Sequence, residues 1–414
     1  MSNVLSDEEE IELLDSLGYI IDEYMQLYLH LLSKYNFDEQ LYNYLYDILY
    51  EQLYLVYDNH LHALIHKSIM KALNIYYKHV MPRRSYSTTF ITKQKNTLKL
   101  TKQLNYLRNI PQPDQRTETW HKFRYNMITA SNAYKAYGTQ SKQNELICEK
   151  CKPLSLEYTK SRYTDTPFHW GTKFEPVSVL YYEYIYETKI EDFGCLPHPK
   201  YPYIGASPDG INVDPTSDLY GRMLEIKNPT TREITGIPKE EYWVQMQLQM
   251  EVCGLNHCDF LETKFSVYES KEAFDEDGDF YKSKDNQYKG IMVHFIVNDD
   301  NYYEYAPFQC SPEEYAIWEE NIMKKHENDT WLTQIYWRLD YVSCVLVTRN
   351  EKWFQHTRHH LENIWKIIEE ERVTGKWIER KAKSTPRKRS NSMGSEEDNT
   401  KKPIGKLIID MSDI

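Results

Sequence analysis

The sequence predicts an α/β protein in which a mixed central sheet is flanked by helices, with a helical N-terminal region before it and a disordered tail after it. Three observations carry this. Apolar residues recur at helical spacing from residue 6 to about 80, through Leu13, Leu17, Ile20, Tyr24, Leu27 and Leu31. From residue 168 to 264 helical segments alternate with short strand-like ones, as expected for helices packed on a sheet. After Arg380 apolar periodicity stops, and Lys, Arg, Ser and acidic residues take over.

The elements follow in order. Ser6-Asp-Glu-Glu9 fits a capping box and opens the helical region 1–80. Met81-Pro-Arg-Arg84 breaks it, and the polar stretch after it reads as a connector, 81–113. Within the main domain, 114–378, residues 116–137, 168–188 and 239–254 read as helices, and 190–227 as short strands and turns. Asp259 to Lys264 and Ile291 to Val297 have strand character, and the acidic, polar stretch 266–288 between them reads as a surface insertion. A strand at 340–348 and a helix at 350–374 close the domain, leaving 379–414 as the tail. Two tail segments stand out: the basic run Lys381 to Arg389, a nuclear-import or DNA-contacting candidate for which a merely solubilising tail is the favoured reading, and the apolar run Ile404 to Ile409.

The 414 residues allow two to three domains and a sizeable core. Seven scattered cysteines exclude a small disulfide-held scaffold, and charge from Asp7 to Glu10 occupies the place of a signal-peptide apolar run. No stretch reaches the roughly 20 apolar residues of a membrane span. The expectation is a soluble intracellular protein in a reducing compartment. A formal charge of −12 argues against indiscriminate polyanion binding, but the charge is segregated. Lys34 is the only Lys or Arg from Met1 to His66, whereas Asn59 to Pro113 holds no Asp or Glu among ten Lys and Arg residues. That basic block fits phosphate tracking and fits a solvated linker equally well. The 36 tyrosines are read as compositional bias.

The chemistry lies between Gly171 and Met250. In Met223-Leu-Glu-Ile-Lys227, strand alternation puts Glu225 and Lys227 on one face and Leu224 and Ile226 on the other. A carboxylate and an ammonium so placed suit phosphodiester hydrolysis: the first holds a hard divalent cation, and the second orients or deprotonates the attacking water. Glu-x-Lys alone is common on solvated sheet faces, so its weight comes from its company. Pro208 and Gly210 punctuate a turn that aims Asp209 at this strand one hairpin away, and the Ile226 carbonyl offers a further oxygen ligand. Glu175, in Gly171-Thr-Lys-Phe-Glu175, lies at or near a helix start, where a Glu is ordinarily only favourable to the dipole.

Taken in order, Trp120-His-Lys-Phe-Arg124 with Thr129-Ala-Ser131, Gly171 to Glu175, Ser207-Pro-Asp-Gly210, Glu225-Ile-Lys227 and Gln245-Met-Gln247 resemble the motifs of the phage-type alkaline exonucleases. These belong to the YqaJ-like viral recombinase group within the PD-(D/E)xK nucleases, and the resemblance spans about Arg116 to Thr263. It implies a restriction-endonuclease-like core and a set of roles. Asp209 and Glu225, with the Ile226 carbonyl, would bind Mg²⁺, for which Mn²⁺ would substitute; Lys227 would orient the nucleophile, and Glu175 would add a carboxylate. Gln247 would support the water or the scissile phosphate, Gln245 being the weaker choice. Arg124 and Ser131, two helical turns apart, look like the family's pocket for a DNA 5′ phosphate, with Ser217 as a third contributor from the hairpin. The implied activity is 5′-to-3′ digestion of one strand of linear duplex DNA, leaving 3′ single strands for recombination with an annealing protein as partner. The N-terminal region, insertion and basic tail resemble large DNA-virus members, and additions of this kind leave open the ring-shaped trimer known in the family. A viral member would act in the host cytoplasm or nucleus.

Rival readings are a structure-specific endonuclease of the same fold and a DNA-binding recombination protein without cleavage. Cys148-Glu-Lys-Cys151 invites a metal cluster, but the iron–sulfur pattern needs a cysteine group after the catalytic motifs, where Cys310 and Cys344 stand far apart. Cys148, Cys151, Cys253 and Cys258 reach four zinc ligands by count, yet free thiols are the expected state; neither iron–sulfur cluster nor zinc is expected. His356, His359 and His360 read as a polar helix face.

Overall fold

The computed structural model describes residues 5–34, 36–54, 61–81, 96–113, 117–154 and 166–382. Residues 82–95 of the predicted connector, and the tail after Ala382 with Ile404–Ile409 and most of the Lys381–Arg389 patch, lie outside the described residues.

Three helices, α1 (Asp7–Tyr28), α2 (Phe37–Leu53) and α3 (Leu61–His79), form the N-terminal bundle. The capping box is present: the Ser6 hydroxyl accepts from Glu9 N, and the Glu9 carboxylate accepts from Ser6 N at 2.8 Å. Leu17, Ile21, Leu41, Leu45, Ile65 and Ile69 are fully buried, and their cluster runs without interruption into that of the main domain. A fourth helix, α4 (Thr97–Asn109), occupies the second half of the predicted connector.

The main domain continues with α5 (Glu118–Tyr125), β1 (Ile128–Thr129), α6 (Ala130–Ala133), α7 (Gln140–Cys151) and α8 (Pro167–Ile185). Then come β2 (Ile190–Glu191), β3 (Leu196–Pro197), β4 (Ile204–Ala206), β5 (Gly210–Asn212), β6 (Met223–Lys227), α9 (Glu240–Cys253) and β7 (His257–Val267). The chain closes through α10 (Lys271–Glu276), β8 (Lys289–Val297), β9 (Asp300–Tyr305), α11 (Pro312–Lys325), β10 (Thr330–Thr348), α12 (Glu351–Thr374) and α13 (Trp377–Ala382). The architecture is the mixed α/β one expected. Seven strands run in the order β2-β5-β6-β7-β10-β8-β9, and β1-β4-β3 form a small second sheet. In the large sheet β6 and β7 are parallel, and every other neighbouring pair is antiparallel.

Strand alternation decides what β6 shows to each layer. Leu224 and Ile226 pack with Tyr182 and Val179 of α8, whereas Met223 joins the core beneath α9. Glu225 shares the α9 side, so a carboxylate with no exposed surface must find its partners there. On the α8 side, Asn228 Nδ2 donates to Ser178 Oγ at 2.8 Å and Thr263 Oγ1 at 2.7 Å, tying the strand end to α8 and β7.

A buried ion pair sits behind β6. Arg222 donates to Asp259 at 3.0 Å, and the Tyr182 hydroxyl donates to the same carboxylate at 2.6 Å. Removing one member of such a pair strands the other charge. Asp259→Asn is therefore expected to lower unfolding free energy by about 3–5 kcal/mol. A urea unfolding midpoint equal to the parent's would contradict this.

The predicted helix over 116–137 is broken. Asn126 ends α5, and Ile128 and Thr129 pair in parallel with Ile204 and Gly205. Arg124 and Ser131 therefore stand on two elements separated by a strand, not two turns apart on one helix.

Candidate active site

The Ser207-Pro-Asp-Gly210 turn carries the chain from β4 into β5, beside β6. Asp209 is held there by the backbone: its carboxylate accepts from Ile226 N at 2.7 Å. On β6, Glu225 accepts from the Lys227 ammonium through one oxygen and from Gln249 Nε2 at 2.7 Å through the other. Gln249 Nε2 also donates to the Ser207 carbonyl at 3.2 Å, linking α9, the turn and the strand. Lys227 Nζ also donates to the Ile226 carbonyl at 3.1 Å, and it lies 5.1 Å from the centre of the Tyr242 ring.

The electrostatics follow from this crowding. Burial, and then the Glu225 carboxylate, drive Asp209 far above the usual carboxylate range; Glu175 adds to the push, while Lys227 and the Ile226 N–H oppose it. Burial works against the charge on Lys227, but Glu225 and Asp209 outweigh it and raise the ammonium above an ordinary lysine. Two carboxylates so close stabilise a cation between them.

Two further observations bear on a divalent cation. The Lys227 ammonium rests on the Glu225 carboxylate and the Ile226 carbonyl, two of the oxygens assigned as metal ligands, so it occupies the place of a cation. Gln249 Oε1 is a buried acceptor with no hydrogen-bond partner among the described residues. The donor set is all oxygen, which suits Mg²⁺ or Mn²⁺. It consists of two carboxylates and a carbonyl: among the described residues no group of three or more His, Cys, Asp or Glu side chains is preassembled for a metal.

Glu175 lies exposed on α8, near enough for its charge to raise both Asp209 and Tyr305. The Gln247 side chain is engaged away from Glu225. Its Nε2 donates to the Thr348 carbonyl at 3.0 Å and its Oε1 accepts from Asn350 N at 2.7 Å, which joins α9 to the end of β10 and the start of α12. Gln249 takes the place beside Glu225, and Gln245, four residues earlier, shares its helical face. The repeat Gln245-Met-Gln-Leu-Gln249 held the signal, but its rotation on the sheet is a tertiary property.

At the other end of the turn, the pairing of β1 with β4 brings Thr129 level with Gly205, two residues before Ser207. Thr129 Oγ1 and Ser131 Oγ are 3.3 Å apart, with Ser131 exposed. Ser217 is elsewhere: it lies in the turn between β5 and β6, where its Oγ accepts from Leu219 N at 3.1 Å. Ser207, in the same turn as Asp209, donates its hydroxyl to the Phe193 carbonyl at 3.5 Å. Arg124 stacks on Trp120 with its guanidinium carbon 4.5 Å from the ring centre.

The cysteines and histidines are otherwise engaged. Cys148 and Cys151 donate to the Trp377 and Ile368 carbonyls, Cys258 to the Asp259 carbonyl, and Cys253 is fully buried. His356 stacks with His30 of the N-terminal region, and His360 meets Tyr137 edge-on. No helix among the described residues is long and apolar enough to cross a membrane.

Residues 119–256 match the family model of the YqaJ-like viral recombinase domain, a span that holds Arg124, Ser131 and the whole Asp209 cluster. Over 331 residues the chain is 28% identical to an uncharacterized protein of Acanthamoeba polyphaga mimivirus, the match covering 71% of this chain and 58% of that protein. The chain thus spans less than two thirds of that relative's length. Among solved structures it is similar to an alkaline exonuclease, LHK-Exo, from Laribacter hongkongensis, at 19% identity and a TM-score of 0.37, covering 64% of this chain and 98% of that one. A structure of LHK-Exo in complex with dAMP gives 18% identity and a TM-score of 0.36, covering 64% of this chain and 100% of that one. Over residues 119–256, one third of its length, the chain is similar to the YqaJ-like viral recombinase domain family.

Proposed function

We propose that this protein is a metal-dependent deoxyribonuclease that digests one strand of linear duplex DNA from its 5′ end and leaves a 3′ single strand for recombination. The observation that carries the hydrolytic reading is the Asp209–Glu225–Lys227–Gln249 cluster, in which two crowded carboxylates and an ammonium meet where the Asp209 turn abuts β6. Asp209, Glu225 and the Ile226 carbonyl would hold Mg²⁺, or Mn²⁺ in its place, which supplies charge stabilisation at the phosphodiester and an acidified water. The chain's own residues position the reactants. Gln249 fixes the Glu225 carboxylate, the protonated Lys227 donates to the attacking water and to the developing negative charge, and Glu175 adds a carboxylate at the turn.

The 5′ preference rests on the pairing of β1 with β4, which sets Thr129, hydrogen-bonded to Ser131, level with Gly205 on the strand that leads into the Asp209 turn. Arg124 and Ser131 would hold the terminal phosphate there. Double-stranded DNA ends are the substrate, and a single-strand annealing protein in the host cytoplasm or nucleus is the partner this product calls for.

The test is incubation of end-labelled linear duplex and covalently closed circles with and without Mg²⁺. Mg²⁺-dependent loss of label from the linear 5′ end, with circles intact, is the expected result; cut circles would point to a structure-specific endonuclease. Arg124→Ala is expected to reduce the preference for 5′-phosphorylated over 5′-hydroxyl ends by about tenfold while internal cleavage chemistry stays intact. An unchanged preference would remove Arg124 from the pocket.

A further inference from the structure

Beneath Arg124 the structure gathers two more cations. Lys150 of α7 is only 6% exposed, and its Nζ donates to the Arg124 carbonyl at 3.0 Å. Arg372 of α12 donates to the Tyr125 carbonyl at 2.6 Å and the Lys150 carbonyl at 2.9 Å, and it lies 3.9 Å over the Tyr125 ring. The Arg124 guanidinium lies near enough to the Cys195 thiol to pull against its raised pKa.

Three positive charges thus converge on the last turn of α5, and among the described residues none of them forms an ion pair with a carboxylate. The nearby acids are engaged elsewhere. Glu149 accepts from Asn132 at 2.8 Å and Lys135 at 3.0 Å, and Glu371 accepts from Arg380 at 2.7 Å. The carbonyls at the end of a helix carry only about half a negative charge. They satisfy the hydrogen bonds of Lys150 and Arg372 without neutralising them. A buried cation without a counter-charge is costly, so this cluster is built to receive an anion from outside.

We infer that Lys150 and Arg372 are the charged floor of the strand-end pocket, and that Lys150 is a positioning residue that makes recognition of a terminal phosphate monoester dependent on pH. The inference rests on the 5′-end reading and extends it. A phosphate monoester carries about −1.5 to −2 near neutral pH. An internal phosphodiester carries only −1, so a floor with surplus positive charge favours the end over the interior of a strand. Lys150 also fixes the Arg124 carbonyl and so sets where that arginine's side chain departs.

The groups facing Lys150 are Arg124 from α5, Arg372 from α12, Cys195 from the segment before β3, and Glu149 on its own helix. Burial pushes Lys150 down to about 8; Glu149 opposes this, and Arg124 and Arg372 add to it. Burial raises the Cys195 thiol, against the pull of Arg124 and Lys150. The floor therefore loses one charge progressively as pH rises through about 8.

The test uses the full chain in chelator and blunt duplexes bearing a 5′ phosphate or a 5′ hydroxyl, with affinities from fluorescence anisotropy between pH 6.5 and 9.5. The parent's phosphate-to-hydroxyl affinity ratio is expected to fall on the order of fivefold to tenfold as pH rises through and beyond 8. Lys150→Arg should keep a high ratio across the range, and Lys150→Met a low, flat one. A pH slope in Lys150→Met equal to the parent's, with a ratio well above one, overturns the role of Lys150 alone. A parent ratio of one at every pH overturns this inference together with the 5′-end reading.

Discussion

Asp209→Asn is expected to reduce cleavage of linear duplex by about a thousandfold or more while leaving DNA affinity at or above the parent's. The isosteric amide oxygen still accepts from Ile226 N, the bond that positions this turn, so the backbone stays in place. What disappears is one of the two negative charges proposed to hold a cation. The stability effect has a definite sign. Burial and Glu225 raise Asp209 above its unfolded value, so the native carboxyl favours its proton and the fold loses stability as pH climbs from the unfolded value through the raised one. A permanently neutral Asn lacks that loss. In chelator at neutral pH the variant should unfold at the parent's temperature or higher, and it should bind duplex normally. Parent-like turnover would remove Asp209 from the catalytic group; a collapsed unfolding midpoint would show that the carboxylate serves the fold instead.

What the sequence disclosed about this site follows from the range of the forces involved. The split of β6 into a Glu225 and Lys227 side and a Leu224 and Ile226 side is local, because it depends only on the two-residue repeat of a strand, and the structure shows it. The Ser6 capping box is local in the same sense. The break between Arg124 and Ser131 is not: Ile128 and Thr129 leave the helical path because β4, some 75 residues later, offers them a ladder. Nor was α4 legible. Its polar surface reads as a connector, and its place is set by distant glycines with positive φ. Leu100 packs so closely on Gly221 that a Cβ there would lie 2.8 Å from a leucine methyl, and Gln103 donates to the Cys253 carbonyl at 2.7 Å beside Gly254. Lys34 pairs with Glu240 at 2.9 Å, so the N-terminal region grips α9 at its start while α4 grips it at its end. The helix that presents Gln249 is held by residues more than a hundred positions away.

That rotation of α9 sets the second large effect. Gln249→Met is expected to lower turnover by about a hundredfold, whereas Gln247→Met leaves turnover per folded molecule close to the parent's. Methionine nearly matches glutamine in volume, so neither variant opens a cavity. At position 249 the change removes the donor to Glu225 and to the Ser207 carbonyl, freeing the carboxylate to turn onto Lys227 and loosening the Asp209 turn from α9. At position 247 it removes the bonds to Thr348 and Asn350, at the end of β10 and the start of α12, and takes the acceptor from the buried Asn350 N–H. Each variant should cost about 1–3 kcal/mol of stability, so loss of stability alone does not separate them. Turnover normalised to folded protein does. A hundredfold loss in Gln247→Met beside a mild one in Gln249→Met would mean that α9 presents its other face to the substrate, with Gln247 returned to the role its place in the motif suggested.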